Sequence, residues 1–139
     1  MPKLLAVNDK LEKDAGPFEI NFCHNDFLAG NFLDDGTRLW LIDWDYAGFN
    51  SPLFDLGGLA SNNELSEQQE HRLLEIYFDK QPSAQRLKQF YAMKCASLLR
   101  ETMWSMVSEV YSTINFDYAA YSVEYLSRFE SAITHFKQA

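Results

Sequence analysis

The sequence predicts an α+β fold that is mostly α-helical. Short apolar runs separated by turn residues occupy residues 18–42, whereas the chain after Pro52 shows helical periodicity and N-cap signals without an evident strand. The chain has 139 residues, of which 47% are hydrophobic and 15% aromatic, enough for one packed core. We therefore expect residues 1–139 to form a single domain, in which a small β-hairpin region packs on three or four helices.

The first part of the chain is predicted to hold one short helix and three strands. Residues 3–13 are expected to be helical, with the Gly-Pro step at 16–17 ending the helix. Residues 18–22 alternate apolar and polar side chains, as a half-buried strand does. The apolar runs 31–33 and 39–42 flank an Asp-Gly step, which predicts a β-hairpin.

The chain after Pro52 is predicted to hold three capped helices. Ser66 and Gln69 form a capping box, Ser83 caps a long helix that runs to about Tyr111, and Asp117 caps the last helix. The residues expected to face inward are Leu73, Leu74 and Tyr77 on the first helix, Leu87, Tyr91, Cys95, Leu98, Thr102 and Met106 on the second, and Tyr118, Tyr121, Tyr125, Phe129 and Ile133 on the third.

Composition excludes several classes of protein. A formal net charge of −8 argues against nucleic-acid binding. The sequence has no signal-peptide pattern at its start and no apolar run of about 20 residues, so no membrane association is expected. Cys23 and Cys95 are too few and too far apart to form a disulfide framework or, with His24, a zinc site. We expect a soluble, cytoplasmic protein.

A group of polar residues in the hairpin region is the strongest chemical signal. His24, Asp26 and Asn31 share one loop, and Asp43 and Asp45 follow the second hairpin strand. Because the hairpin brings its two ends together, Asn31 and Asp43 can face the same point. Two such oxygen ligands, completed by substrate phosphates, suit Mg²⁺. Asp26 could orient or deprotonate a hydroxyl, so the group favours phosphoryl transfer over ordinary turn chemistry.

Five segments together resemble the choline/ethanolamine kinases, particularly the bacterial type. This family belongs to the aminoglycoside-phosphotransferase branch of the protein-kinase-like fold. The resemblance implies the C-terminal lobe of that fold, which carries the substrate and Mg²⁺ sites, with ATP as co-substrate. The matching segments are residues 23–32, 41–48, 52–56, 101–105 and 116–121.

The resemblance assigns roles residue by residue. Asp26 matches the catalytic Asp that accepts the proton of the substrate hydroxyl, and Asn31 and Asp43 match the Mg²⁺ ligands. His24 and Asp55 match residues that support the catalytic loop structurally.

The acceptor pocket is expected to bind a small cationic alcohol, choline or ethanolamine. Glu101 and Trp104 are neighbours on the surface of the long helix, and an aromatic ring beside a carboxylate suits a cationic head group. By resemblance, Trp104, Phe116 and Tyr121 line this pocket. Asp45 stands where eukaryotic members have Glu, and it completes the predicted substrate-binding set.

The sequence departs from the family pattern at two places in this pocket. Glu101 occupies the position of a second tryptophan, three residues before Trp104, which weakens the case for choline itself. A glutamate of the family's pocket falls on Asn62 without a gap or on Glu64 with one, and that assignment stays open.

The sequence does not supply a nucleotide-binding lobe. Such a lobe carries a glycine-rich loop and a strand lysine, but the 23 residues before His24 contain one glycine, Gly16, and no strand of that kind. We expect this N-terminal lobe to be absent, with exposed apolar surface near residues 1–20 and the cleft that would need a partner lobe or a homodimer. The alternatives are an aminoglycoside or thiamine kinase lobe, or a non-catalytic cation-binding module or remnant.

Overall fold

The computed structural model describes residues 2–16 and 19–138, so Pro17 and Phe18, at the predicted helix end and strand start, lie outside the described residues. The elements are α1 (Pro2–Ala15), β1 (Asn21–Cys23), β2 (Phe32–Asp34), β3 (Leu39–Leu41), β4 (Gly48–Asn50), α2 (Pro52–Asn62), α3 (Glu67–Phe78), α4 (Ala84–Tyr111) and α5 (Tyr118–Gln138). A single 3₁₀ turn, Ala29–Asn31, precedes β2. The fold is therefore α+β and mostly α, as predicted.

The predicted hairpin is confirmed. β2 and β3 pair antiparallel with Phe32 opposite Leu41. At the turn, Asp35 Oδ1 accepts a hydrogen bond from the backbone N–H of Thr37 at 2.9 Å. Gly36 has φ of +85°, a left-handed conformation that glycine adopts without steric cost. The Asp-Gly step thus sets the turn, and the turn sets the register of the two strands.

A second antiparallel pair, β1 with β4, contains a strand that the sequence did not predict. Phe22 lies opposite Phe49 in this pair. β4 has only three residues, 48–50, and ends two residues before Pro52. A run this short shows no alternation, so its pairing with β1 is a long-range contact that local pattern does not reveal.

The sequence predicts a half-buried strand over residues 18–22 with its apolar side chains on the buried face, and that part of the prediction is wrong. Ile20 and Phe22 are 64% and 63% exposed, whereas Cys23 is buried. The reason is that the two-stranded sheet packs on α2 through one face only, and Cys23 occupies that face.

The predicted helix caps are present. Ser66 and Gln69 form a reciprocal capping box at α3. The Ser83 side chain accepts from the third backbone N–H of α4 at 3.2 Å, and Asp117 Oδ1 accepts from the third N–H of α5 at 2.9 Å. The start of α2 is capped in the same way by Ser51. Each cap satisfies a backbone donor that the helix itself leaves unpaired.

The long helix α4 is the centre of the core, with α1, α2 and α5 packed against it. Of its predicted inward residues, Tyr91, Cys95, Leu98 and Thr102 are buried and Leu87 and Met106 are half-buried. On α5, Tyr118, Tyr125 and Phe129 are buried and Tyr121 and Ile133 are half-buried.

The expectation that Tyr77 faces inward is wrong, because its side chain is 48% exposed. The buried face of α3 runs through Glu70 and Leu74 to the half-buried Phe78, at intervals of four residues. Tyr77 lies about 60° around the helix from Leu74, at the edge of that face, and packs edge-on against Phe78.

The two cysteines and the hydropathy of the helices are two further features of the described residues. Cys23 and Cys95 are free and buried, and burial raises the pKa of the Cys95 thiol to about 12. Within the described parts of the chain, no helix is both long and apolar enough to cross a membrane.

The loop that follows β1 is held by a carboxylate from the first turn of α2. Asp55 Oδ2 accepts a hydrogen bond from the backbone N–H of His24, and Asp55 Oδ1 accepts one from the N–H of Asn25, both at 2.7 Å. Asp55 is itself buried, and this burial raises its pKa despite the two donors. We call these two hydrogen bonds the Asp55 clamp.

The first prediction concerns the close contact between α2 and α4. A Cβ atom added at Gly57 would lie 2.7 Å from the backbone nitrogen of Lys94. We expect Gly57→Ala to lower the free energy of unfolding by about 1–3 kcal/mol, because the backbone clash outweighs the gain in helix propensity. Urea denaturation measures this. Gly30→Ala is the control, since nothing lies within 4 Å of its added Cβ; equal midpoints for both variants would contradict the prediction.

The second prediction concerns the Asp55 clamp. An amide at position 55 can accept only through its single oxygen, so Asp55→Asn should leave one of the two backbone donors unpaired. We expect a loss of about 1–3 kcal/mol in the free energy of unfolding, and faster hydrogen exchange at the amides of His24 and Asn25. The exposed Asp9→Asn is the control. Unchanged exchange at both amides in a folded Asp55→Asn protein would show that the clamp does not hold the loop.

Candidate active site

His24 joins the loop of residues 24–31 to the end of β3. Its ring is buried, with 1% of the residue exposed. Nδ1 accepts a hydrogen bond from the backbone N–H of Asp26 at 3.2 Å, and Nε2 lies 2.8 Å from the carbonyl oxygen of Ile42. Because Nδ1 is an acceptor, Nε2 carries the proton and donates it to Ile42. The histidine therefore bridges the loop of residues 24–31 and the segment after β3, and its supporting role in catalysis stays a prediction.

Asn31 lies between Asp26 and the segment that leads to Asp43. Its Nδ2 donates to the backbone carbonyl of Asp26 at 2.9 Å and lies 3.4 Å from Asp26 Oδ2. Its own carbonyl oxygen accepts from the backbone N–H of Ile42 at 3.0 Å. The fold thus brings Asp26, Asn31 and the residue preceding Asp43 together, while the expectation that Asn31 and Asp43 face the same point stays a prediction.

Two of the four non-glycine residues with positive φ in the described part of the chain lie in these two loops; the others, Glu64 and Asp79, follow α2 and α3. Asn25 and Asp43 have φ of +64° and +60°, the left-handed region that side chains other than glycine seldom occupy. Strain of this kind persists only where surrounding contacts impose it, and it is most frequent at functional sites. Asp43 is also exposed, so its carboxylate is accessible to a ligand.

The donor set fits a magnesium ion that is completed by substrate oxygens. Asn31 uses its amide nitrogen for Asp26, which turns Oδ1 away from that contact and leaves it available as a ligand. Asp43 adds a carboxylate from the adjoining segment. Among the described residues, no group of three His, Cys, Asp or Glu side chains is placed to hold a metal. Two oxygen ligands completed by phosphate oxygens suit Mg²⁺, whereas zinc sites usually have three or four protein ligands with His or Cys among them.

Arg100, which the sequence analysis missed, reaches the same loop from α4. Its Nη1 donates to the carbonyl oxygen of Asn25, and its Nη2 lies 3.9 Å from Asp26 Oδ1. The guanidinium also lies 4.9 Å from the ring centroid of Tyr46. The sequence did contain a signal for this residue, because Arg100 is the one Lys or Arg between residues 95 and 111.

Asn25 is a second residue that the sequence analysis missed. Its Oδ1 accepts from Asn50 Nδ2 at 2.9 Å, and its Nδ2 donates to the carbonyl of Tyr46 at 3.0 Å. The side chain thereby connects the 24–31 loop to β4 and to the turn before it. The sequence offers no signal for this role. The side-chain partners of Asn25 are distant in the chain, and its left-handed backbone, which asparagine tolerates, cannot be read from the sequence.

The predicted acceptor residues on α4, on α5 and in the connection between them form an aromatic cluster beside a carboxylate. Trp104 packs edge-to-face against Tyr121, with ring centroids 6.2 Å apart, and Phe116 does the same at 5.7 Å. Tyr121 Oη donates to Glu101 Oε1 at 3.0 Å. Burial raises the pKa of Glu101 and that of Tyr121, so the phenol stays a donor at neutral pH.

The two candidates for the pocket glutamate lie in different places. Asn62 faces the site: its Nδ2 donates to the carbonyl of Phe27 at 3.1 Å, and its Oδ1 accepts from Tyr125 Oη at 3.3 Å. Glu64 instead pairs with Arg128 at 2.6 Å. The position without an alignment gap is therefore the one adjacent to the loop.

The predicted residues lie in adjoining groups and do not line one common cavity. Asp26 and Glu101 line one small cavity together with Arg100 and Asn62. Asp55 also lines this cavity. The other predicted residues are not among those that line it: His24, Asn31, Asp43, Asp45, Trp104, Phe116 and Tyr121. Asp45 is exposed in the turn before β4. The chemical roles of all these residues stay predictions.

Comparison with known proteins agrees with this geometry. A family model described as choline/ethanolamine kinase matches residues 3–93. Protein LicA of Haemophilus influenzae is 39% identical over 77 residues, which are 55% of this chain and 23% of that protein. Ethanolamine kinase 2 of Rattus norvegicus is 31% identical over 122 residues, covering 73% of this chain and 32% of its own length.

A solved structure extends the similarity to almost the whole chain. The crystal structure of a choline/ethanolamine kinase family protein from Mesorhizobium loti superposes with a TM-score of 0.85 at 27% identity, covering 94% of this chain and 45% of that one. This chain thus spans less than half the length of each of these three relatives. Because the family model matches more than half of its residues, the chain belongs to the choline/ethanolamine kinase family.

Proposed function

We propose that this chain forms the acceptor- and metal-binding part of an ATP-dependent kinase that phosphorylates the hydroxyl of choline or ethanolamine. One observation carries the proposal. Asn31 hydrogen-bonds Asp26 on one side and Ile42 on the other, so that a carboxylate suited to be a base adjoins two oxygen groups suited to bind Mg²⁺. Family membership supports the same chemistry.

In the proposed reaction, Asp26 accepts the proton of the acceptor hydroxyl as its oxygen attacks the γ-phosphorus of ATP. A bond forms between the acceptor oxygen and phosphorus, the bond to the β–γ bridging oxygen breaks, and ADP leaves. Arg100 lies 3.9 Å from Asp26 Oδ1 and donates to the carbonyl oxygen of Asn25, so it helps to position the loop that carries the proposed base. Most of the catalytic effect in such transfers comes from positioning and charge neutralisation.

Asn31 Oδ1 and the Asp43 carboxylate would hold Mg²⁺. When bound, the ion neutralises developing charge on the phosphates of the nucleotide. These two residues approach each other through the hairpin, so the turn at Gly36 has a direct influence on the metal site.

The nucleotide-binding lobe is proposed to be a separate part of the enzyme. The exposed apolar side chains on the β1–β4 side, among them Ile20, Phe22 and Phe49, would then face that lobe or a second copy of the chain. Because its co-substrate is ATP, we place the protein in the cytoplasm.

The third prediction tests the proposed base. ADP release from Mg²⁺-ATP is measured with choline, ethanolamine, thiamine and kanamycin offered separately. The assay uses this chain alone and a hybrid in which it replaces the matching part of the Mesorhizobium loti protein. We expect the hybrid to release ADP with choline or ethanolamine, and Asp26→Asn to lower that rate about 100-fold or more, with the unfolding midpoint unchanged.

Asp9→Asn is the matched control and should leave the rate unchanged. Equal rates for the Asp26→Asn and parent hybrids would overturn the assignment of the base. Release with kanamycin or thiamine alone would change the acceptor, and a folded hybrid that transfers phosphate to none of the four would contradict the proposed function.

The fourth prediction tests the metal ligands. Asp43→Asn removes a negative charge but keeps a ligand oxygen, so it should weaken metal affinity without blocking the site. We expect the Mg²⁺ concentration for half-maximal ADP release by the hybrid to rise about tenfold, with a smaller change in the rate at saturating Mg²⁺. The control is Asp79→Asn at the exposed end of α3. An unchanged Mg²⁺ dependence would exclude Asp43 as a ligand.

A further inference from the structure

Glu101 is a half-buried carboxylate in the wall of the proposed acceptor site. It lies on α4, lines the same small cavity as Asp26, and accepts one hydrogen bond, from Tyr121 Oη at 3.0 Å through Oε1. A carboxylate has more acceptor positions than this one bond uses. Glu101 can therefore accept hydrogen bonds from a bound ligand while the tyrosine keeps its orientation fixed.

The aromatic rings near Glu101 do not form a closed cage. Trp104 is 41% exposed and Phe116 51% exposed. One face of Tyr121 is already covered by the stacked ring of Tyr125, with centroids 4.3 Å apart. Trp104 and Phe116 meet Tyr121 edge-to-face rather than as facing walls. A quaternary ammonium, which has no N–H group, depends on ring faces surrounding it.

The charge around the cavity favours a cation that can donate hydrogen bonds. Three carboxylates, Asp26, Asp55 and Glu101, line it against the one cation Arg100. Arg100 pairs with Asp26 at 3.9 Å, and Asp55 is occupied by the Asp55 clamp. Glu101 forms no salt bridge with any residue that the structure describes. A primary ammonium loses strong hydration on binding and needs acceptor atoms in return. Carboxylate and amide oxygens at this site can supply them.

We propose that Glu101 is a specificity-determining residue that makes the site prefer a primary ammonium alcohol to its quaternary, trimethylated counterpart. The carboxylate accepts N–H hydrogen bonds that each added methyl group removes, and the open aromatic cluster does not compensate for them. This inference rests on the proposed function only for the identity of the acceptor site, because it concerns binding and not phosphate transfer.

The test is an NMR titration of the intact chain with ethanolamine, N-methylethanolamine, N,N-dimethylethanolamine and choline. We expect the affinity to fall along this series, by about tenfold from first to last, which corresponds to about 1.4 kcal/mol. Glu101→Gln keeps the shape of the side chain but loses its charge. It should weaken the binding of ethanolamine most and reduce the differences in affinity among the four amines. Glu101→Trp should reverse the order by adding a ring face.

Glu109→Gln is the matched control, since Glu109 is an exposed carboxylate two turns further along α4, and it should leave the series unchanged. If choline bound as tightly as ethanolamine, this inference would be overturned and the proposed function would not be affected. An equal loss of affinity for all four ligands in Glu101→Gln would also overturn it, because Glu101 would then attract every cation alike and would not select among them. No binding of any amine would overturn both this inference and the proposed acceptor class, whereas selective binding without phosphate transfer would overturn only the proposed function.

Discussion

The site depends on the two hydrogen bonds by which the Asp55 carboxylate holds the backbone of His24 and Asn25. A buried carboxylate is costly unless donors surround it, and consecutive backbone N–H groups are suitable donors. Because His24 is fixed at its backbone, its ring can bridge Asp26 and Ile42. The clamp therefore determines where the proposed base lies and how the hairpin end meets it.

The same loop is held from two further directions, both of them helical. Arg100 binds the carbonyl of Asn25 from α4, and Asn62 binds that of Phe27 from the end of α2. α2 and α4 are themselves in backbone contact at Gly57. A loop anchored on packed helices keeps its polar groups in position before any ligand arrives, which is the condition that phosphoryl transfer by positioning requires.

Sequence predicted the features that depend on neighbouring residues and missed those that depend on distant ones. The Asp-Gly hairpin, the Ser66 capping box and the extent of α4 follow from local turn and cap chemistry, and all are present. The β4 strand and the role of Arg100 depend on contacts 27 and 75 residues apart in the chain, such as Cys23 with Asn50 and Arg100 with Asn25. Local periodicity carries no information about such partners.

The most direct measurement of the central claim, that Asn31 and Asp43 hold a metal beside Asp26, is paramagnetic broadening in an NMR spectrum. Mn²⁺ would be added in substoichiometric amounts to the ¹⁵N-labelled chain, first alone and then with ATP. If Asn31 and Asp43 hold the metal, the amide signals of Asp26, Asn31 and Asp43 broaden first, and more strongly with ATP. Broadening centred on the acidic start of α3, at Glu67 and Glu70, would contradict it.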